Sequence, residues 1–314
     1  MPADITLRLL SAAAQAYMIS GDGPVADSGQ GDQAPCTGCI GWTVAPWGVQ
    51  SGTFGQNAAF VGSIDEGVVV AVRGTMPPGP GHDPLQVIID WAGDAVALLA
   101  GAAGHPPGFP GKVHFGFYKA FMGVWAKLHQ RVDDAVKAHP AQTIFVTGHS
   151  KGGAISPLMA WRLRLDYPDH KIVVRTFAPA RIGDTDFAAA YGAAITDHIR
   201  FEYDDDIVPH MPLEPQLVDA LGAPSLVGWL LSKSDLGYGA VGTLAYIRPD
   251  GTICGDSPGL EQDRVARLAA KLAAGQVDYI ISCHGMSAPT DGYVRGAYAA
   301  REVGPGVGDD APPV

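Results

Sequence analysis

The chain has 314 residues, 47% hydrophobic and 17% charged, which is enough apolar material for one large domain or two small ones. A formal net charge of −11 argues against nucleic acid or an anionic membrane surface as an electrostatically steered partner, and leaves neutral or oily ligands open. No run approaches the roughly 18 apolar residues of a membrane-spanning helix.

The N-terminus reads as an amphipathic first helix rather than a secretory leader, because Asp4 and Arg8 interrupt it and the apolar stretch 9–14 is short. Cys36-x-x-Cys39 invites a redox or zinc reading, yet zinc needs two more ligands at matched spacing and none is nearby. A small disulfide-closed loop or two idle thiols is expected there, and no metal or other cofactor is implied. Cys254 and Cys283 are candidates to bridge each other.

Residues 68–72 are a continuous apolar, valine-rich run suited to a buried strand. From Phe117 onward Phe121, Val124, Leu128, Val132 and Ala135 recur at helical spacing, and that helix ends near His139-Pro140. A strand over 143–147, a helix after Ser150, a strand over 172–177, a helical stretch around Phe187 and a strand over 198–203 follow. This alternation predicts an α/β fold with a mostly parallel central sheet flanked by helices. Residues 1–303 read as one domain without internal repeats, and the Gly/Pro-rich acidic tail 304–314 as disordered.

Two segments interrupt the alternation. Residues 79–111 are rich in Gly and Pro yet carry Leu85, Val87, Ile88, Ile89 and Trp91. Residues 213–242 carry a second apolar patch that includes Leu217, Val218, Trp229 and Leu230. Each reads either as core helix or as a cover over an apolar site. The lid candidate is 76–100, with Leu85, Ile88, Ile89 and Trp91 as its substrate-facing residues.

The most informative feature is Gly148-His149-Ser150-Lys151-Gly152, a G-x-S-x-G placed between a predicted strand and a predicted helix. A serine on a tight strand-to-helix turn needs small neighbours, because the strained backbone packs closely, and the turn lifts the hydroxyl above the sheet. The serine needs a base, and the base an acidic orienter. On such folds the order is serine, acid, histidine. Of ten histidines only His210 and His284 follow the run Asp204-Asp205-Asp206. His210 shares a loop with Asp206, whereas His284 follows Tyr279-Ile280-Ile281, where an element ends, so His284 is preferred as base. Asp206 opens Asp206-Ile207-Val208-Pro209 just after a strand and is the preferred acid. Asp204 and Asp205 read as a solvated loop.

These marks resemble the class 3 lipases, the family of the fungal triacylglycerol lipases, in order over roughly residues 10–295. The N-terminal Ala14-Gln15-Ala16-Tyr17, the strand ending Arg73-Gly74-Thr75, the pair Asp90-Trp91 and Val113-His114-Phe115-Gly116-Phe117 all match. So do the serine turn, the run Phe177-Ala178-Pro179-Ala180-Arg181-Ile182-Gly183 and Asp206-Ile207-Val208-Pro209. The resemblance implies an α/β-hydrolase fold with lid or cap insertions, Ser150 as nucleophile, Asp206 as orienter and His284 as general base. It also implies an oxyanion hole made by the backbone N–H groups of Thr75 and Lys151, and it favours a secreted protein.

Three features depart from the family. Lys151 stands where leucine is usual, with its side chain expected in solvent. Pro157 falls within two turns of the serine. The spacing from Asp206 to His284 accommodates the apolar insertion after Pro212. The leading expectation is a serine carboxylic-ester hydrolase, a triacylglycerol lipase that takes ester or lipid small molecules at a lipid–water interface. Acyl transfer, phospholipid hydrolysis and polyester hydrolysis share the chemistry. A non-catalytic binding scaffold of the same fold is the reading from another class, and the intact serine, acid, histidine and both glycines argue against it. Natural ester and oligomeric state are not legible.

Overall fold

Val68, Val70 and Val72 pack into one buried cluster while Val69 and Ala71 pack into another, so this strand has no solvent face. Ile144, Val146, Ile172 and Val174 repeat the first set, and Phe145 and Val173 the second. Continuous apolar runs of this kind belong to parallel strands covered on both sides. The computed structural model describes residues 4–26, 39–76, 108–220, 237–286 and 292–299.

The strands are β1 (Gly23–Pro24), β2 (Trp42–Ser51), β3 (Asn57–Ile64), β4 (Gly67–Val72), β5 (Thr143–His149), β6 (Lys171–Phe177), β7 (Gly183–Asp184), β8 (His198–Tyr203), β9 (Tyr238–Gly239), β10 (Thr243–Ile247) and β11 (Ile253–Cys254). One sheet has the order β1-β2-β3-β4-β5-β6-β8-β10-β11, and β7 and β9 form a small second pair. The centre, β4-β5-β6-β8-β10, is parallel. Both flanks are antiparallel. Helices α2 (Phe115–Ala138) and α3 (Lys151–Asp166) cover one face, with Phe121, Leu128, Ile155 and Leu158 in the larger cluster. Helix α1 (Ile5–Gln15) covers the other, supplying Leu7, Leu10 and Leu9 to the clusters there. The remaining helices are α4 (Thr185–Ala194), α5 (Pro215–Ala220), α6 (Leu260–Ala273), α7 (Val277–Cys283) and α8 (Gly292–Ala299).

The expected α/β-hydrolase architecture is therefore present, with four differences of detail. Helix α1 is not amphipathic in use, since residues 6–15 are all buried between the sheet, the 40–42 segment and α8. Asp4 is its N-cap, and Arg8 is neutralised by Glu66 at 2.6 Å and by the Ile40 carbonyl at 2.8 Å. Cys254 and Cys283 are both free, whereas Cys39 is disulfide-bonded. Strands β2 and β3 escape a reading by apolar runs because β2 is interrupted by Pro46 and by two register shifts. Pro157 is buried in the second turn of α3, which continues to Asp166. The lid residues Leu85, Ile88, Ile89 and Trp91, most of the 213–242 insertion's apolar centre and the tail 304–314 lie outside the described residues.

Candidate active site

The parallel centre aligns the carboxyl ends of β5, β6 and β8, the edge where open α/β sheets place their sites. Ser150, Ala178 and Asp204 follow those three ends, and each is a non-glycine residue with positive φ, at 58°, 50° and 39°. Backbone of this kind costs about 1–3 kcal/mol per residue and persists only where its surroundings enforce it. Strain is thus gathered on one edge of the molecule.

At Ser150 the enforcement is steric. Its N–H donates to the Phe177 carbonyl at 2.9 Å, and its own carbonyl starts α3 by accepting from Ala154 at 3.0 Å. A Cβ on Gly152 would stand 2.1 Å from the Val72 carbonyl oxygen, and one on Gly148 would stand 2.5 Å from the Gly152 carbonyl. The two glycines of the motif are therefore required by backbone-to-backbone contact between the β4 end, the β5 end and the helix start. Gly74 obeys the same rule, with a Cβ there 2.0 Å from the Tyr17 hydroxyl.

Asp206 and His284, 78 residues apart, meet. His284 caps the C-terminus of α7, and its Nδ1 lies 3.0 and 3.1 Å from the two Asp206 carboxylate oxygens. A carboxylate only accepts, so Nδ1 carries the proton and Nε2 is left as the basic nitrogen. Asp206 is fully buried and also accepts from the Tyr293 hydroxyl at 2.5 Å and the Val208 N–H at 3.0 Å. Burial pushes its carboxyl upward, but His284, Tyr293 and the Val208 N–H outweigh that and hold it below the usual carboxylate range. The His284 ring stands 4.6 Å, centroid to centroid, from His149, the residue before Ser150.

His149 itself is a structural member of the site that sequence reading passes over. Its Nε2–H donates to the His284 carbonyl at 2.8 Å, and its Nδ1 accepts from the Tyr17 hydroxyl at 2.9 Å. Burial, with His284 adding to it, pushes its pKa down to about 3, so the ring is neutral and its two bonds are fixed in direction. The Ala14-Gln15-Ala16-Tyr17 mark thereby acquires a purpose: α1 delivers Tyr17 beneath the serine turn. Tyr293, on α8 beyond the histidine, is likewise unforeseen.

Two expectations change. Asp204 and Asp205 are not a solvated loop; both are buried. Asp205 accepts from Arg267 at 2.8 Å and from Lys271, and Asp204 accepts from Arg267 at 3.2 Å and from Tyr279. The sign of this was in the sequence, because Arg264, Arg267 and Lys271 recur at helical spacing and put cations along one stripe of α6. His210 is buried, with its Nδ1 3.3 Å from Glu261. The Lys151 side chain does not simply extend into solvent; it is half-buried, and its Nζ donates to the Gln56 carbonyl at 2.9 Å and to Asn57 Oδ1 at 3.1 Å. Thr75 sits half-buried just past β4. Among the described residues no group of three or more metal ligands occurs.

Comparison with known proteins finds lipases. The model of the family described as Lipase (class 3) matches residues 69–216. Lipase ZK262.3 of Caenorhabditis elegans is 31% identical over 190 residues, 56% of this chain and 50% of that one. Secreted mono- and diacylglycerol lipase 1 of Fusarium solani is 35% identical over 101 residues, 32% of this chain and 29% of its own. The chain thus spans half or less of the length of these curated relatives. A fungal lipase of known structure superimposes with a TM-score of 0.56 at 18% identity, over 91% of this chain and 94% of that one, which speaks for the fold. The serine turn and the acid turn both lie inside residues 69–216, the part that matches the class 3 lipase model.

Proposed function

We propose that the chain is a serine carboxylic-ester hydrolase, a triacylglycerol lipase working through an acyl-enzyme, with Ser150 as nucleophile, His284 as general base and Asp206 as orienter. The observation that carries this is the His284–Asp206 pair, bonded through Nδ1 to both carboxylate oxygens and standing beside the strained serine on one sheet edge. Neutral His284 accepts the Ser150 proton at Nε2 as Oγ bonds to the ester carbonyl carbon. Asp206 stays ionised and stabilises the imidazolium. The tetrahedral oxyanion is held by the backbone N–H groups of Thr75 and Lys151, a pair of donors whose loss typically costs about 3–4 kcal/mol of barrier each. Collapse breaks the bond to the leaving alcohol, which takes its proton from Nε2. Water then attacks the acyl-enzyme by the same route and releases the acid.

An apolar cover by Leu85, Ile88, Ile89 and Trp91 fits a lipid ester better than a short polar one, and relatives such as the secreted Fusarium solani lipase support a secreted protein. Among the described residues no helix is long and apolar enough to cross a membrane. A chain-length series of p-nitrophenyl esters tests the reading. Ser150→Ala should remove nearly all turnover, and His284→Ala should cost far more than His210→Ala. A wild type that hydrolyses none of the series, or a Ser150→Ala variant that keeps most activity, refutes it.

A further inference from the structure

The two oxyanion donors come from separate segments, one past the end of β4 and the other at the start of α3, and both segments are tied to one short turn. Arg73, two residues before Thr75, donates through its guanidinium to the Gly55 carbonyl, and at 2.7 Å to the Ile19 carbonyl. Its N–H donates to the Ala58 carbonyl at 2.9 Å. Lys151 reaches across the β4 end from the other side and donates to Gln56 at 2.9 Å and Asn57 at 3.1 Å. Three consecutive residues, 55 to 57, therefore accept from both halves of the hole. The turn is itself immobilised. Gly55 has φ 67°, and a Cβ there would lie 2.6 Å from Gln50 Oε1, while Asn57 pairs with Ser51 in the β2–β3 ladder.

We propose that the 55–57 turn is the clamp that sets the separation of the two oxyanion donors, with the Lys151 side chain as its positioning residue. The inference rests on the ester-hydrolase reading. Preorganised donors are useful only if both reach one developing oxygen at hydrogen-bond distance, and displacements of an ångström can cost about a hundredfold in rate. A leucine at this position, usual in the family the sequence resembles, has no donor to offer Gln56 or Asn57. In this chain a cation thus performs a fixing task by hydrogen bonds to the neighbouring hairpin.

The test compares wild type with Lys151→Met, which keeps length and removes the donors, using p-nitrophenyl butyrate below its solubility limit. The expected result is a fall in kcat of about tenfold to a hundredfold with KM within about threefold, because the ground-state ester does not need both donors. Phosphonylation of Ser150 by a p-nitrophenyl phosphonate should slow by a similar factor, and Lys151→Arg should recover most of the loss. Asn57→Ala should reproduce part of the fall, and adding it to Lys151→Met should cost little more. If Lys151→Met leaves kcat and phosphonylation within about twofold, or raises KM in proportion, the clamp is overturned. If that variant does not fold, Asn57→Ala decides, and an unchanged kcat there overturns it equally. A wild type that the phosphonate does not label at Ser150 would instead defeat the ester-hydrolase reading.

Discussion

Two turns bring Ser150 and Asp206, the proposed nucleophile and orienter, to the same edge of the sheet, and they are held by opposite means. The serine turn after β5 is fixed by missing side chains: Gly148, Gly152 and Gly74 let three backbones touch. The acid turn after β8 contains no glycine in 204–206, and each of its carboxylates is held by partners from α6, α7 or α8. Both store a positive-φ residue. A sterically fixed turn is indifferent to salt and charge and intolerant of one carbon atom. An electrostatically fixed turn has the reverse sensitivities, because buried charge is stable only while paired.

The most damaging way to probe this contrast is a single carbon. Gly152→Ala would place its Cβ 2.1 Å from the Val72 carbonyl, so either the helix start or the β4 end must move. Ester hydrolysis should fall by about a thousandfold, because both Ser150 and the proposed oxyanion donor Lys151 N–H shift together. Stability should fall by about 1–3 kcal/mol through overpacking. Activity within tenfold of wild type would show that the turn yields, and the steric account would be wrong.

Next in size is removal of charge from the acid turn. Arg267→Met with Lys271→Met strips Asp205 of both cations, leaving a carboxylate with no solvent exposure. Loss of a buried pair's partner costs about 3–5 kcal/mol, and the partial exposure of Arg267 and Lys271 puts the expected value near the bottom of that range. Adding Asp205→Asn should return much of it, since the orphaned charge is then gone. Denaturant midpoints for the single, double and triple variants read this directly, and a triple variant no more stable than the double would mean that packing, not charge, holds the turn.

How far each turn was legible follows from the same distinction. Glycine spacing is local, so 148–152 announces its own geometry between a β-branched run and a helix. The acid turn draws on residues 62 to 87 positions away, and in one dimension three aspartates look like a solvent-facing loop. Only the Arg264, Arg267 and Lys271 spacing hinted otherwise. Order along the chain favoured His284 over His210, and in the structure it is His284 whose Nδ1 meets the Asp206 carboxylate, while His210 Nδ1 lies 3.3 Å from Glu261. Nothing local marked Tyr293 or Tyr17, whose hydroxyls matter only through partners 87 and 132 residues away. Lys151 was misplaced for the same reason: its acceptors lie on a hairpin that apolar runs do not reveal.

Tyr293→Phe asks a finer question of the acid turn. The hydroxyl donates at 2.5 Å to Asp206 Oδ2 and is one of the groups holding that carboxyl down. A hydrogen bond to a charged group contributes about 1.5–3 kcal/mol, so kcat/KM should drop by roughly tenfold or somewhat more. Without the donor the Asp206 carboxyl titrates higher, so activity should be lost at a higher pH on the acid side than in wild type. An unmoved acid limb would show that His284 and the Val208 N–H suffice.

The smallest effect tests whether the serine turn is as indifferent to pH as its glycines suggest. His149 lies beneath it, held down to about 3 by burial, and His198 is held equally low by burial and the nearby Arg200 and Arg175. Each is neutral when folded and titrates near 6.5 when unfolded. The unfolded chain therefore binds the extra protons as pH falls from 6.5 toward 3. The stabilisation is full above 6.5 and declines below it by up to about 1.4 kcal/mol per pH unit for each ring. Glu261, the partner of His210, behaves differently: burial opposes its charge, but His210, Arg264 and Arg181 hold it at about 2, so its contribution is intact above about 4.5 and declines only below that. Between pH 6 and 5 the loss should thus come from the histidines alone. His149→Gln should flatten the slope of unfolding free energy against pH by about one proton in that interval. An unaltered slope would place the proton elsewhere and leave the serine turn purely steric.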